Sequence, residues 1–269
     1  MRRSSAFALL ATLPLLLAFS CKKEEEAPET DSPDTEIAEA APLAEAAADD
    51  LSALSDEAAA TGQLAGYAGN AGYPRIVRRN RVAADPDTLI VDFGPTNLAG
   101  PYGRQRRGQL VSVYAAPYGS GPVLTTPTGY FVNDHGVAGT RTVARTGATL
   151  ATVAADLRIT LANGGTVLYT AARTREQVAG AGTAAVADDV YLLNGSATAT
   201  GPRGLEYGAA AQNLRRPLSC GQYVSGTLAL TRRQDAARGV RLDFGGGSCD
   251  NTAQATLLAS GRTFAVTLR

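Results

Sequence analysis

The stretch Arg158-Ile-Thr-Leu-Ala-Asn-Gly-Gly-Thr-Val-Leu-Tyr169 decides the fold class. Arg158-Ile-Thr-Leu161 and Thr166-Val-Leu-Tyr169 are short β-branched, aliphatic and aromatic runs, with Asn163-Gly164 between them. Asn-Gly between two such runs is a strong hairpin signal, because a type I′ turn needs positive φ at both central positions. Outward from this hairpin, Thr88-Leu-Ile-Val-Asp-Phe93, Gln109-Leu-Val-Ser-Val-Tyr114 and Arg262-Thr-Phe-Ala-Val-Thr-Leu268 have the same grammar, bounded by Gly, Pro and Asn. No helical period interrupts them, so parallel crossovers have no material and the sheet is expected to be antiparallel. The expected fold is an all-β domain over residues 67–269, a meander sheet curled into an open barrel or taco. A two-sheet β-sandwich is the alternative.

The N-terminus has a different build. Met1-Arg2-Arg3 is followed by an apolar run from Ala6 to Phe19 and then Ser20-Cys21. A positive start, an apolar stretch and a small residue before a cut make a secretory signal. The run is shorter than the roughly 20 residues of a spanning helix and contains Pro14. A small residue before Cys resembles the lipobox of bacterial lipoproteins, so residues 1–21 are expected to be a lipoprotein signal ending at the lipid-attachment Cys21. Two or three acyl chains, palmitate among them, anchor a protein far more firmly than one.

Near-neutrality of the whole chain hides two opposed halves. Residues 22–66 carry thirteen Asp and Glu against Lys22 and Lys23, whereas residues 67–269 carry 21 Arg, no Lys and twelve acids. A block of like charge without aromatics buries too little apolar area to fold alone, so 22–66 is expected to be an acidic disordered tether. Within it, Leu43, Ala47, Leu51, Leu54 and Ala58 lie close to one helical face. Pro42 at the start and Gly62 at the end fit an Ala-rich helix of about 18 residues, which either docks on the domain or extends the tether. All ten tyrosines lie at Tyr67 or later. With Cys21 taken by lipid, Cys220 and Cys249 remain in an oxidising compartment, where a disulfide is expected.

Several motifs recur in a known order: Ile90-Val-Asp-Phe-Gly-Pro-Thr-Asn97, Arg104 to Gly108, Phe131-Val-Asn-Asp134, Gly139-Thr-Arg-Thr-Val143, Arg173-Thr-Arg-Glu176, Asp188-Asp-Val-Tyr191 and Gly247-Ser-Cys-Asp-Asn251. On these the chain resembles an uncharacterised family of Bacteroidota lipoproteins over roughly residues 75–269. The resemblance implies an outer-membrane lipoprotein and no assigned activity. Leu98 stands where relatives often have Cys, and Gln177 where they often have an aromatic residue. Lys22-Lys-Glu-Glu-Glu26 is similar to the signal that sends lipoproteins of that phylum to the cell surface.

Catalytic equipment is sparse. His135 is the only histidine and sits in a turn composition, Asn133-Asp-His-Gly136. Nucleophilic triads and most zinc sites need histidine, and a P-loop or Schiff base needs lysine. Asp92, Asp243, Glu176 and Glu206 are the candidate glycosidase carboxylates; adjacent Asp188 and Asp189 would point to opposite faces of a strand. The two Asp-Phe-Gly triplets read as strand ends turning at a glycine. Gly245 to Asn251 has calcium-like spacing without the bidentate Glu, and reads more simply as a turn beside Cys249.

Arginine is the one excess. Arg173 and Arg175 share a strand face, while Arg104, Arg106 and Arg107 crowd one loop, so together they form a candidate face for an anionic glycan, lipopolysaccharide phosphate or acidic protein. Nucleic acid, metals and cofactors are not expected. The expectation is a non-enzymatic, lipid-anchored surface lipoprotein of the outer membrane with a structural or interaction role. The alternative is a carrier holding a lipid or other hydrophobic ligand inside the curled sheet. The two opposed charge blocks should also attract, with the tether partly occupying the arginine face.

Overall fold

The computed structural model describes residues 32–67, 72–79, 87–115, 121–183 and 185–268. Cys21 and residues 22–31 of the expected tether lie outside these.

Among the described residues the first element is a helix, α1 (Pro33–Thr61), longer than expected at 29 residues. Ser32 caps it by accepting from the Thr35 N–H, Pro33 occupies the first turn, and Asp34 and Glu36 face the positive end of the helix dipole. Gly62 closes it in the left-handed conformation, φ 72°, donating to the Ala58 carbonyl. The start expected at Pro42 is corrected: Pro42 lies inside the helix. An internal proline costs about 3 kcal/mol in an isolated helix, but here the helix is enclosed by protein. It is not a solvated spacer, since buried residues run along it from Asp34 to Ala58, and it belongs to the same compact unit as the sheet.

Fourteen strands follow among the described residues. They are β1 (Arg75–Arg79), β2 (Asp87–Asp92), β3 (Leu98–Ala99), β4 (Gln105–Tyr114), β5 (Val123–Val132), β6 (His135–Arg145) and β7 (Leu150–Thr160). After them come β8 (Thr166–Ala179), β9 (Val190–Thr200), β10 (Glu206–Pro217), β11 (Ser225–Arg232), β12 (Asp235–Gly246), β13 (Thr252–Leu257) and β14 (Thr263–Thr267). All belong to one antiparallel meander in chain order, with β3 as a side pair on β4. The sheet is open, with β1 and β14 at its edges. Helix α1 touches strands from β2 to β14, so the sheet curls around it.

Alternation sets the two faces. In β7, Ala151, Val153, Ala155, Leu157 and Ile159 are buried while Thr152, Asp156, Arg158 and Thr160 face out. Inward residues of successive strands (Leu89, Leu110, Tyr130, Ile159, Tyr169, Leu242) join Ile37, Ala41, Ala44, Ala48 and Leu51 of α1 in one core. Alanine on most faces of α1 lets strands approach it from many directions.

The Asn163-Gly164 hairpin forms between β7 and β8, but with a different turn. Thr160 pairs with Thr166, the Leu161 N–H donates to the Gly165 carbonyl, and Gly164 takes positive φ, 93°, while Asn163 does not. This is a longer loop with glycine in the left-handed position, rather than a two-residue type I′ turn. Cys220 and Cys249 form a disulfide, Cα–Cα 5.8 Å, joining the β10–β11 and β12–β13 loops. Closing that loop of about 30 residues contributes roughly 3 to 4 kcal/mol in the chain-entropy view.

Candidate functional site

The interior around α1 is the most unusual chemistry in the molecule, and it is made by phase. On β8, Val167, Tyr169 and Ala171 point inward, and Arg173 and Arg175 continue that phase. On β4, Arg106 shares the inward phase of Leu110, Ser112 and Tyr114, with Arg104 just before the strand also buried. Arg141 of β6 is 1% exposed. On β10 a bulge at Asn213, φ 50°, adds one residue against β9 between Ala211 and Leu214. That shift turns Arg216 inward.

These six arginines meet four carboxylates of α1. Arg104 Nη1 donates to Asp50 Oδ1 at 2.9 Å, and Arg106 holds both Asp50 oxygens through Nε and Nη2. The Tyr130 hydroxyl also donates to Asp50 Oδ2, at 3.3 Å. Arg173 binds Glu45 and the Gly195 carbonyl. Arg175 donates to Asp56 Oδ2 at 3.2 Å, and its guanidinium lies 3.4 Å from the Tyr191 ring centroid. Asp49 is shared, with Arg141 Nη2 at 3.4 Å, Arg216 Nη1 at 2.9 Å and Arg175 Nε at 3.9 Å. Near the helix start, Arg232 and the Tyr207 hydroxyl both donate to Asp34. A separate hydroxyl cluster joins Ser55 to Ser112 and Thr125.

Burial alone would raise the Asp49 carboxyl, but Arg216, Arg141 and Arg175 hold it below its ordinary value. Burial opposes ionisation of Asp50 too, and Arg106, Arg104 and Arg216 overcome it, bringing the group to about 2. The cations are in surplus. Burial pushes the Arg104 and Arg141 guanidinium groups down, with nearby arginines adding to the shift. Among the described residues seven buried arginine nitrogens lack a hydrogen-bond partner, spread over Arg141, Arg173, Arg175 and Arg216. The Arg216–Asp49 contact is thus an ion pair by distance without the alignment of a hydrogen bond.

The expected anion-binding face is therefore corrected. Arg104, Arg106, Arg173 and Arg175 are inside, paired with the chain's own helix. Arg107 faces out, paired with Asp134 and stacked 3.9 Å from the Phe131 ring centroid. The expected attraction between acidic segment and arginines corresponds to contacts that are buried rather than superficial. Sequence reasoning missed Arg141, Arg216 and Arg232. Phase relative to the apolar residues of each strand is the available signal for Arg141, whereas the Asn213 bulge conceals Arg216.

The other candidates have structural partners. His135 Nδ1 accepts from the Ala162 N–H at 3.1 Å, tying two turns together. Asp92 and Asp243 each accept from the glycine N–H two residues on, with an inward Phe between; the first Asp-Phe-Gly triplet ends β2 as expected, whereas the second lies inside β12 at a register shift against β11. Asp188 accepts from Thr183, whereas Asp189 accepts from Gln177 and Tyr191. Asp250 accepts from the Thr252 N–H. Among the described residues no group of three His, Cys, Asp or Glu side chains is placed to hold a metal ion.

Comparison with known proteins returns nothing: no family model, curated protein or solved structure matches the chain.

Proposed function

We propose that this chain is a non-enzymatic outer-membrane lipoprotein, held at the cell surface by acyl chains on Cys21, with a structural or interaction role. The observation that carries this role over that of a carrier is the filled concavity. Helix α1 occupies the space a curled sheet would offer a lipid, and its carboxylates neutralise most of the arginine charge there. The Met1–Cys21 pattern and the resemblance to Bacteroidota lipoproteins support the anchor and the address. Membrane contact in this reading is the anchor itself. Outward positions of β7 and β8 include Thr152, Asp156, Arg158, Thr170 and Glu176 rather than the apolar band of a spanning strand. Among the described residues no helix is long and apolar enough to cross a membrane.

The test feeds labelled palmitate to cells expressing the full chain or Cys21→Ser, then fractionates them and extracts lipid from the purified protein. The wild type is expected to carry label and sediment with membranes; Cys21→Ser should be unlabelled and soluble after export. Unchanged fractionation of Cys21→Ser would sink the anchor. A stoichiometric, non-covalent lipid in the extract would overturn the role in favour of a carrier.

A further inference from the structure

A cavity of about 610 Å³ opens among the turn at Pro101–Gly103, the β5–β6 turn and the two loops joined by Cys220–Cys249. Its size lies within the roughly 300–1,000 Å³ typical of small-molecule sites. Unlike the interior around α1, its wall is accessible: Tyr102, Asp250 and Asn251 are exposed, and Asn133 and Gln222 are half-buried.

Tyr102 is the odd residue there. Among the described residues seven other tyrosines are buried, but this one is 57% exposed. Its backbone is left-handed, φ 59°, a conformation costly for a bulky side chain. Two contacts hold it. The hydroxyl donates to the Leu218 carbonyl at 2.8 Å, and the base of the ring rests on Gly221, where an added Cβ would fall 2.9 Å from Tyr102 Cβ and Cγ. Strain of this kind, of order 1–3 kcal/mol, persists where the surroundings impose it, and here its result is an aromatic ring displayed to solvent.

The polar groups beside the ring offer hydrogen bonds rather than positive charge. Arg104 is spent, with Nη1 on Asp50 and Nη2 on the Gly221 carbonyl. Asn133 Oδ1 accepts from the Gln105 N–H, which leaves its amide NH2. Asp250 Oδ1 takes both the Thr252 N–H and the Thr252 hydroxyl, which leaves Oδ2. Gln222 and Asn251 bring two complete amides, each with donor and acceptor side by side. The disulfide holds these two in one rim, each two residues after its cysteine. A vicinal diol presents the same pairing of donor and acceptor, and the C–H face of a pyranose is a surface that a bare aromatic ring covers.

We propose that this cavity binds a neutral saccharide, with a sugar ring stacked on Tyr102 and its hydroxyls on Asn133, Gln222, Asp250 and Asn251. An exposed carboxylate beside a spent arginine disfavours an anionic glycan. The site rests on the interaction role proposed above and gives it a ligand class. It requires no lipid on Cys21, so its failure and that of the anchor are separately visible.

The test applies the full mature chain, purified in a sugar-free detergent, to an array of neutral oligosaccharides of glucose, galactose, mannose and N-acetylglucosamine, beside sulfated and sialylated forms. At least one neutral oligosaccharide should bind, and more tightly than its sulfated or sialylated form. Tyr102→Gly removes the ring while relieving the left-handed backbone, so it should lose at least tenfold in affinity with a thermal midpoint close to wild type. Thr170→Ala, on the outer face of β8, should bind as wild type does. If Tyr102→Gly does not fold, the double variant Gln222→Ala, Asn251→Ala replaces it, with the same loss expected. No binding to any neutral saccharide, equal or tighter binding of the charged forms, or undiminished binding by the folded variant overturns the proposal.

Discussion

Arg173 and Arg107 each have one carboxylate partner, yet they inhabit different solvents. The Arg173 and Glu45 side chains are each 2% exposed, whereas Arg107 and Asp134 are 25% and 58% exposed. An exposed pair contributes about 0 to 1 kcal/mol, because water screens it and ordering two side chains offsets the gain. A buried pair is not a strong net stabiliser either, since both charges lose hydration, but removing one partner strands the other in low dielectric. The comparison teaches that arginine count says little about this protein. Strand phase decides which arginines are part of the core and which are surface.

The harshest way to break the comparison is Asp49→Ala, which removes the carboxylate shared by Arg141, Arg175 and Arg216. Urea unfolding should show a loss of about 3 to 5 kcal/mol. A loss below about 1 kcal/mol would mean that these arginines are hydrated after all. A sharper form uses Glu45→Met, expected to cost about 3 kcal/mol, beside the double variant Glu45→Met, Arg173→Met. With both charges gone, the double variant should return to within about 1 kcal/mol of wild type.

Acid probes the same interior without mutation. Asp50 titrates at about 2 when folded, against an ordinary value of 3.8. Because its folded value is depressed, its contribution is fully present above pH 3.8 and fades as pH falls towards 2. The linked loss is about 2 kcal/mol across that window, and Asp50→Asn should flatten the pH dependence there. The smallest effect belongs outside. Asp134→Ala should change stability by less than about 1 kcal/mol, and 1 M salt should erase the difference. An equal loss for Asp134→Ala and Glu45→Ala would dissolve the distinction between the two arginine populations.

Much of the sheet was legible because the signals were local. The alternating runs from Thr88, Gln109, Thr166 and Arg262 all form strands, and the Asn163-Gly164 turn marks a real hairpin. Cys220 and Cys249 pair as expected. What failed was α1. Its acids read as solvent-seeking because their counter-charges lie far along the chain, and Pro42 read as a boundary because a propensity argument ignores enclosure by tertiary structure. The arginines failed differently. Arg173 and Arg175 were placed on one face correctly but read as an outer one; the phase of Val167, Tyr169 and Ala171 is the unused signal that this face is the inner one. Arg216 carried no such hint, because a one-residue bulge reversed its direction.

Threading a helix through its own sheet also orders assembly in time. Helix α1 precedes every strand, so it leaves the ribosome or the export channel before any of its arginine partners. Those partners arrive in sequence: Arg104 lies 54 residues after Asp50, Arg141 is 92 after Asp49, Arg173 is 128 after Glu45, and Arg232 is 198 after Asp34. Each new hairpin pairs with the one just made, so the backbone winds locally while the charges close over ever longer spans. The helix therefore serves as a spindle on which progress is recorded. A chain stopped after β8 still leaves Asp34 without Arg232, and α1 loses the wall on that side, so an incomplete product advertises its incompleteness to proteases at its N-terminal end.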